Sequence, residues 1–277
     1  MSRRQTRNAI AAGLLTLACV CAAACAAPAR PASQRSSSLQ VFAAASLTDA
    51  FKEIAHQLEA HRPGLVVRLN SAGSQQLAMQ LEQGAHADVF APADERWMSY
   101  AMERGLVSGE ITVFARNRLV VIVPKTNPAR IRRLQDLARG GLKLVLGADA
   151  VPVGRYSRIV LRNLARDPAF GSDFATLTLR NVVSEEENVK SVVGKVQLGE
   201  ADAGIAYRSD VTPAVARLVR VIEIPKSANI VAEYPIAVVK DAQHPDAAKA
   251  FVELVLSAEG QAVLARRGLM SVVASGR

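Results

Sequence analysis

Short apolar runs and helical apolar repeats take turns along most of the chain. Residues 39–45 read as a buried strand, and from Thr48 the apolar positions Phe51, Ile54, Ala55 and Leu58 recur on one face of a helix. Ser46 or Thr48 is then the expected N-cap. The unit repeats: residues 65–70 form a strand, Ser71 to Gln75 a turn, and Leu77 and Leu81 mark a helix that runs as far as Gly84. A third strand spans 87–91, followed by a helix through Trp97, Met98, Ala101 and Met102 that Gly105 closes.

Two apolar runs, 111–115 and 119–123, are parted by Arg116, Asn117 and Arg118, a polar break read as a crossing to a second lobe. There the pattern starts again: a strand at 143–147, a turn at 151–154, and a helix through Tyr156, Ile159, Val160 and Leu164. A strand at 177–182, a helix at 184–198 and a strand at 201–207 follow. A strand at 235–239 carries the chain back to the first lobe, and helices from Asp246 and near 261–267 end it. Strand and helix in alternation argue for doubly wound, mostly parallel sheets flanked by helices.

Composition sets the broad class. Of the 277 residues, 50% are hydrophobic and only 4% aromatic, so the core is expected to be large and aliphatic. The formal net charge of +9 falls to about +6 without Arg3, Arg4 and Arg7. That surplus is scattered, with no dense basic run interleaved with aromatics, which argues against nucleic acid as a partner.

The three arginines open a segment whose apolar stretch, 9–24, ends in small residues, as a secretory signal does. Residues 1–25 are read as that signal and 26–38, rich in Pro, Ala, Ser and Arg, as a flexible linker. No later window is long and apolar enough to span a membrane. All three cysteines, Cys19, Cys21 and Cys25, fall in the signal, so the body is expected to carry no disulfide, thiolate metal site or cysteine nucleophile. Ala22-Ala-Ala-Cys25 resembles a bacterial lipobox, which makes Cys25 a candidate for lipidation; simple cleavage near Ala26 or Ala27 is the competing reading.

Candidate chemistry collects where strands end and helices begin: at Ser46, at Gly73 and Ser74, at Val153 and Gly154, and from Ser184 to Val189. Helix starts offer unpaired N–H groups and a positive dipole end, and ligands of open α/β sheets bind at the carboxyl ends of strands. Neutral hydroxyls and amides suit a small oxyanion held without a covalent bond, and Tyr207, at a strand end, adds a phenolic donor. Ordinary helix capping for the serines, and a core-edge role for Tyr207, are the plain alternatives. A serine hydrolase would need a base, yet His56, His61, His86 and His244 sit in no catalytic frame, and no G-x-S-x-G, P-loop or G-x-G-x-x-G follows a strand. Glu185, Glu186 and Glu187 are expected to be the acidic first turn of a helix and not a metal site.

Six motifs then carry a resemblance. Val41-Phe-Ala-Ala-Ala-Ser-Leu-Thr48, Ala72-Gly-Ser74, Ala87-Asp-Val-Phe-Ala-Pro-Ala-Asp94, Glu187-Asn-Val189, Gly204-Ile-Ala-Tyr207 and Glu233-Tyr-Pro-Ile-Ala-Val238 resemble, in order, the periplasmic molybdate-binding proteins of bacterial ABC transporters. The resemblance implies a two-lobed periplasmic-binding-protein fold of type II, with residues 39–117 and 233–277 as lobe I and 118–232 as lobe II. It implies a monomer that closes on molybdate or tungstate for an ABC permease, with no cofactor and no catalysis. The ligands it implies are hydroxyl and N–H groups of Ser46 and Ser74, backbone N–H groups of Val153 and Val189, and the Tyr207 hydroxyl. Another oxyanion such as sulfate is the nearest alternative; a secreted serine hydrolase is the more distant one.

Overall fold

Several strand-to-helix steps read from the sequence position edges of a single cavity. A computed structural model describes residues 37–272. Strand β1 (Ser37–Ala44) passes through a 3-10 turn (Ala45–Leu47) into helix α1 (Thr48–His61). Then come β2 (Leu65–Ala72), α2 (Ser74–Glu82), β3 (Val89–Ala91) and α3 (Glu95–Glu103). A long strand, β4 (Val107–Pro124), leads to β5 (Leu144–Gly147), α4 (Pro152–Leu164), α5 (Phe174–Arg180), β6 (Val182–Glu186), α6 (Val189–Gln197) and β7 (Ala203–Tyr207). After a 3-10 turn (Arg208–Asp210) the chain adds α7 (Pro213–Ala216), β8 (Val219–Glu223), β9 (Val231–Val239), α8 (Pro245–Leu256), α9 (Ala258–Arg266) and β10 (Met270–Ser271). The expected signal segment, with Cys25, lies outside the described residues. So does most of the expected linker, but its last two residues, Ser37 and Ser38, already belong to β1 and pair with Leu65 and Val66.

Strands are ordered β2-β1-β3-β9-β4-β7-β5-β6, with β8 and β10 also paired to β4. The wings β2-β1-β3 and β7-β5-β6 are parallel; the centre, where β9, β4 and β7 meet, is antiparallel. β4 serves both halves, pairing with β9 over residues 107–118 and with β7 and β8 over 119–124. Side chains along β1 alternate between two cores. Leu39, Val41 and Ala43 pack with Phe51, Ile54 and Phe251, while Phe42 faces Leu77, Leu81, Phe90 and Trp97. Each large apolar side chain so buried contributes about 1.5–3 kcal/mol, which fixes where β1 ends and so where Ser46 stands.

Four expectations change. The polar triplet at 116–118 is no break, because β4 runs through it: Arg116 pairs with Glu233 at 2.7 Å, Arg118 with Glu223 at 3.5 Å, and Asn117 is fully buried. Residues 177–182, read as strand, belong mainly to α5, and 184–186, read as helix, are β6. There the alternating Thr and Leu imitate a strand period, yet the buried residues are Phe174 and Thr178, one turn apart. The last strand starts earlier, at Val231, and β8 was not anticipated. Finally, neither Ser46 nor Thr48 caps α1; its N-cap is Leu47, with no side-chain cap, which releases the Ser46 hydroxyl for other partners.

Candidate functional site

The carboxyl ends of the two parallel wings meet at one cavity. It is lined by Ala44, Ala45, Ser46, Ala72, Gly73, Ser74 and Ala93 from the β1–β3 wing and by Val151, Pro152, Val153, Asn188, Val189 and Tyr207 from the β5–β7 wing. All five residues expected in an oxyanion site, Ser46, Ser74, Val153, Val189 and Tyr207, are among them. The cavity holds about 10 Å³, the room of one water-sized sphere. Organic ligands commonly occupy pockets of roughly 300–1,000 Å³, so a cavity this small has no room for one.

Every lining side chain is neutral, and the hydroxyls of Ser46, Ser74 and Tyr207 are among the polar groups there. Ser74 is buried, and its Oγ accepts the Ala93 N–H at 2.9 Å, which leaves the serine hydrogen to be donated elsewhere. Ser46 Oγ lies 3.1 Å from the hydroxyl of Tyr234. Tyr207 is 1% exposed, and its hydroxyl has no hydrogen-bond partner among the described residues. Burial pushes the Tyr207 phenol well above its ordinary range, helped by the nearby Tyr234, so the group keeps its proton and remains a donor. An aromatic chain fixes both phenols: Phe251 packs on Phe51, Phe51 on Phe114, Phe114 on Tyr234, and Tyr234 edge-on to Tyr207 at 5.8 Å.

Backbone donors come from helix starts. α2 begins at Ser74, α6 at Val189, and Val153 is the second residue of α4, whose first residue is Pro152. First-turn N–H groups have no partner inside their helix, and the dipoles of these helices add positive potential at the cavity. Proline at the first position of α4 removes an N–H that would be unpaired anyway. Close approach of α4 to β5 depends on Gly154, where a Cβ would stand 2.1 Å from the Gly147 and Ala148 carbonyl oxygens.

Charged groups bracket the cavity and tie its walls together without lining it. Lys190 Nζ stands 3.0 Å from Asp49 and 3.8 Å from Asp210, Arg155 pairs with buried Asp94 at 3.0 Å, and Trp97 donates its indole N–H to the Ala150 carbonyl at 2.9 Å. Gln75 donates to the Glu187 carbonyl and Gln76 to the Glu187 carboxylate, at 2.7 and 2.8 Å. Burial raises the Asp210 carboxyl to about 6, against the pull of Lys190, so it carries little charge below that pH. The acidic run expected to open a helix lies instead in β6 and the turn after it. There Glu185 pairs with Arg158 and Glu186 with Lys195 at 2.6 Å, so both carboxylates are matched by cations.

Among the described residues, no histidine hydrogen-bonds to either serine. His56, His61 and His86 are exposed, and His244 opens α8. Among the described residues no three His, Cys, Asp or Glu side chains gather as a metal site, and no helix is long and apolar enough to cross a membrane. Local reasoning missed the Ala93 N–H and the buried pair Asn117 and Tyr234. Tyr234 lies in one of the six motifs, but only its pairing across β4 and β9 brings it under Ser46.

Residues 39–270 match the family model of bacterial extracellular solute-binding proteins. The molybdate-binding protein ModA of Mycobacterium tuberculosis (strain ATCC 25618 / H37Rv) is 41% identical over 241 residues, which is 87% of this chain and 87% of that protein. Among solved structures, the periplasmic molybdate-binding protein of Azotobacter vinelandii superposes with a TM-score of 0.73 at 20% identity, over 84% of this chain and 98% of that one. The sulfate-binding protein SubI of Mycobacterium tuberculosis H37Rv superposes with a TM-score of 0.75, also at 20% identity, over 86% and 88%. At that identity the two structures speak for the fold alone, which both share with this chain. A family match over most of the length, together with 41% identity to a curated member, identifies the chain as one of the bacterial extracellular solute-binding proteins.

Proposed function

We propose that this protein captures molybdate or tungstate outside the cytoplasm and hands it to an ABC permease. Ser46 and Ser74 donate hydroxyl and N–H bonds, Val153 and Val189 backbone N–H groups, and Tyr207 its phenolic hydrogen. Residues 39–117 and 233–277 act as one lobe and 118–232 as the other. The paired strands β4 and β9 are the hinge about which they close. The protein works as a monomer, tethered through a lipid on Cys25. It is a binding protein and not an enzyme.

The observation that carries this reading is the Tyr207 hydroxyl, buried without a partner at a cavity whose lining bears neither charge. A buried donor without a partner costs about 1–3 kcal/mol, which an anion at the cavity would recover. The 41% identity to ModA favours molybdate among the oxyanions. Sulfate is the second reading, favoured by the small cavity.

Thermal melts of the purified domain with molybdate, tungstate, sulfate and phosphate separate these readings. A ligand a thousandfold above its Kd stabilises by about 4 kcal/mol. We expect molybdate and tungstate to raise Tm most, sulfate less and phosphate not at all. A shift with sulfate alone would replace the ligand, and none with any oxyanion would refute the site.

A further inference from the structure

Cations account for only part of the acidic run from Glu185 to Glu187. Glu185 and Glu186 pair with Arg158 and Lys195, but among the described residues the exposed Glu187 carboxylate meets no cation and accepts the Gln76 side-chain amide at 2.8 Å. That bond crosses the seam between the two wings. Gln76 is oriented for it, because its Oε1 accepts the Gly73 N–H at 3.1 Å and so turns its NH₂ toward Glu187. Beside it Gln75 makes a second tie, donating to the Glu187 carbonyl at 2.7 Å. The two glutamines directly follow Ser74 in the first turn of α2, and Glu187 comes just before Asn188, the N-cap of α6. Both ties therefore join helix starts that face each other across the cavity.

We propose that Gln75, Gln76 and Glu187 are positioning residues that lock the starts of α2 and α6 together over a bound oxyanion, and so set how fast it leaves. This rests on the oxyanion reading above. None of the three lines the cavity, so they act on the ligand only through the segments they hold, Ser74 on one side and Val189 on the other. A bond that exists only while the wings are together slows their parting and does not hinder their meeting. Its loss therefore falls on the release rate and leaves the capture rate nearly unchanged. Gln75 carries a cost in this arrangement, since its Oε1 is buried without a partner among the described residues. Parting the wings wets that oxygen and relieves the cost, which keeps the latch reversible.

Exchanging donor and acceptor across the seam tests the latch. Gln76→Glu keeps an acceptor for the Gly73 N–H, as glutamate does in a capping box, but sets two carboxylates face to face. Adding Glu187→Gln restores the bond in the opposite sense. The purified protein is loaded with radiolabelled molybdate and chased with unlabelled molybdate, and capture is followed with the same label. We expect Gln76→Glu to release molybdate about fivefold faster, the effect of like charges about 4 Å apart in water. The double variant returns to within about twofold of the wild type, which a merely structural defect would not do. Gln75→Ala releases about threefold faster, the worth of one neutral hydrogen bond. Capture rates and the Tm without ligand stay close to those of the wild type in all three. Wild-type release in Gln76→Glu, or no recovery in the double variant, overturns the latch while leaving the oxyanion site standing. Wild-type release in Gln75→Ala removes Gln75 from it. A wild type that binds no molybdate overturns the site itself, and the latch with it.

Discussion

The hydroxyl of Tyr207 is an expense to the unliganded fold, because a tyrosine buried this deeply ordinarily finds a partner. Removing it should therefore separate stability from binding. Tyr207→Phe is expected to leave Tm without ligand unchanged or slightly raised, and to weaken molybdate binding by roughly ten- to a hundredfold, the worth of one hydrogen bond to a charged group. Calorimetric titration beside a melt checks both; equal affinity in the variant would remove Tyr207 from the site. At this scale the lining of the cavity was partly legible, since Ser46, Ser74, Val153 and Tyr207 stand at strand ends or turns that local patterning marks, whereas Val189 opens a helix that the pattern began at Ser184. Asn117 and Tyr234 were not legible, because their polarity matters only once β4 and β9 pair, 117 residues apart along the chain.

Helix starts and strand ends set how closely the walls of the cavity approach. Gly73, at the head of α2, shows this: a Cβ there would lie 2.3 Å from the Glu187 carbonyl oxygen, which Gln75 already engages at 2.7 Å. The backbone of Gly73 is in an ordinary extended conformation, so the obstacle to alanine is steric, from the Glu187 carbonyl on the opposite wall and from the Gln75 side chain, whose amide would stand 2.4 Å away. Gly73→Ala is expected to weaken molybdate binding by about tenfold or more while changing Tm without ligand only slightly. Titration and melting of the variant test this, and wild-type affinity would show that the approach at Gly73 does not limit binding. Elements with a clear period, such as α1 and α4, were legible in the sequence. The stretch from Phe174 to Glu186 was not, because its alternating residues fit a strand and its salt-bridged glutamates, matched by Arg158 and Lys195, are at home in one.

Over the whole molecule, the long-range order of strands was only partly legible. Alternating patterns foretold parallel wings, but a polar triplet inside an 18-residue strand looked like an interruption, because its partners Glu223 and Glu233 lie far along the chain. The net charge of +9 does not make the site: the cavity lining is neutral, and ion pairs such as Lys190 with Asp49 and Arg155 with Asp94 hold its walls from outside. On the proposed reading, an array of donors on two walls binds the anion. The most direct test of that claim is a crystal grown with molybdate and measured for anomalous scattering from molybdenum. The account predicts one strong peak between Ser46, Ser74 and Tyr207, within hydrogen-bond reach of the Val153 and Val189 N–H groups. A peak at the arginine-rich groove formed by Arg208, Arg220, Arg266 and Arg267, with none in the cavity, would contradict it.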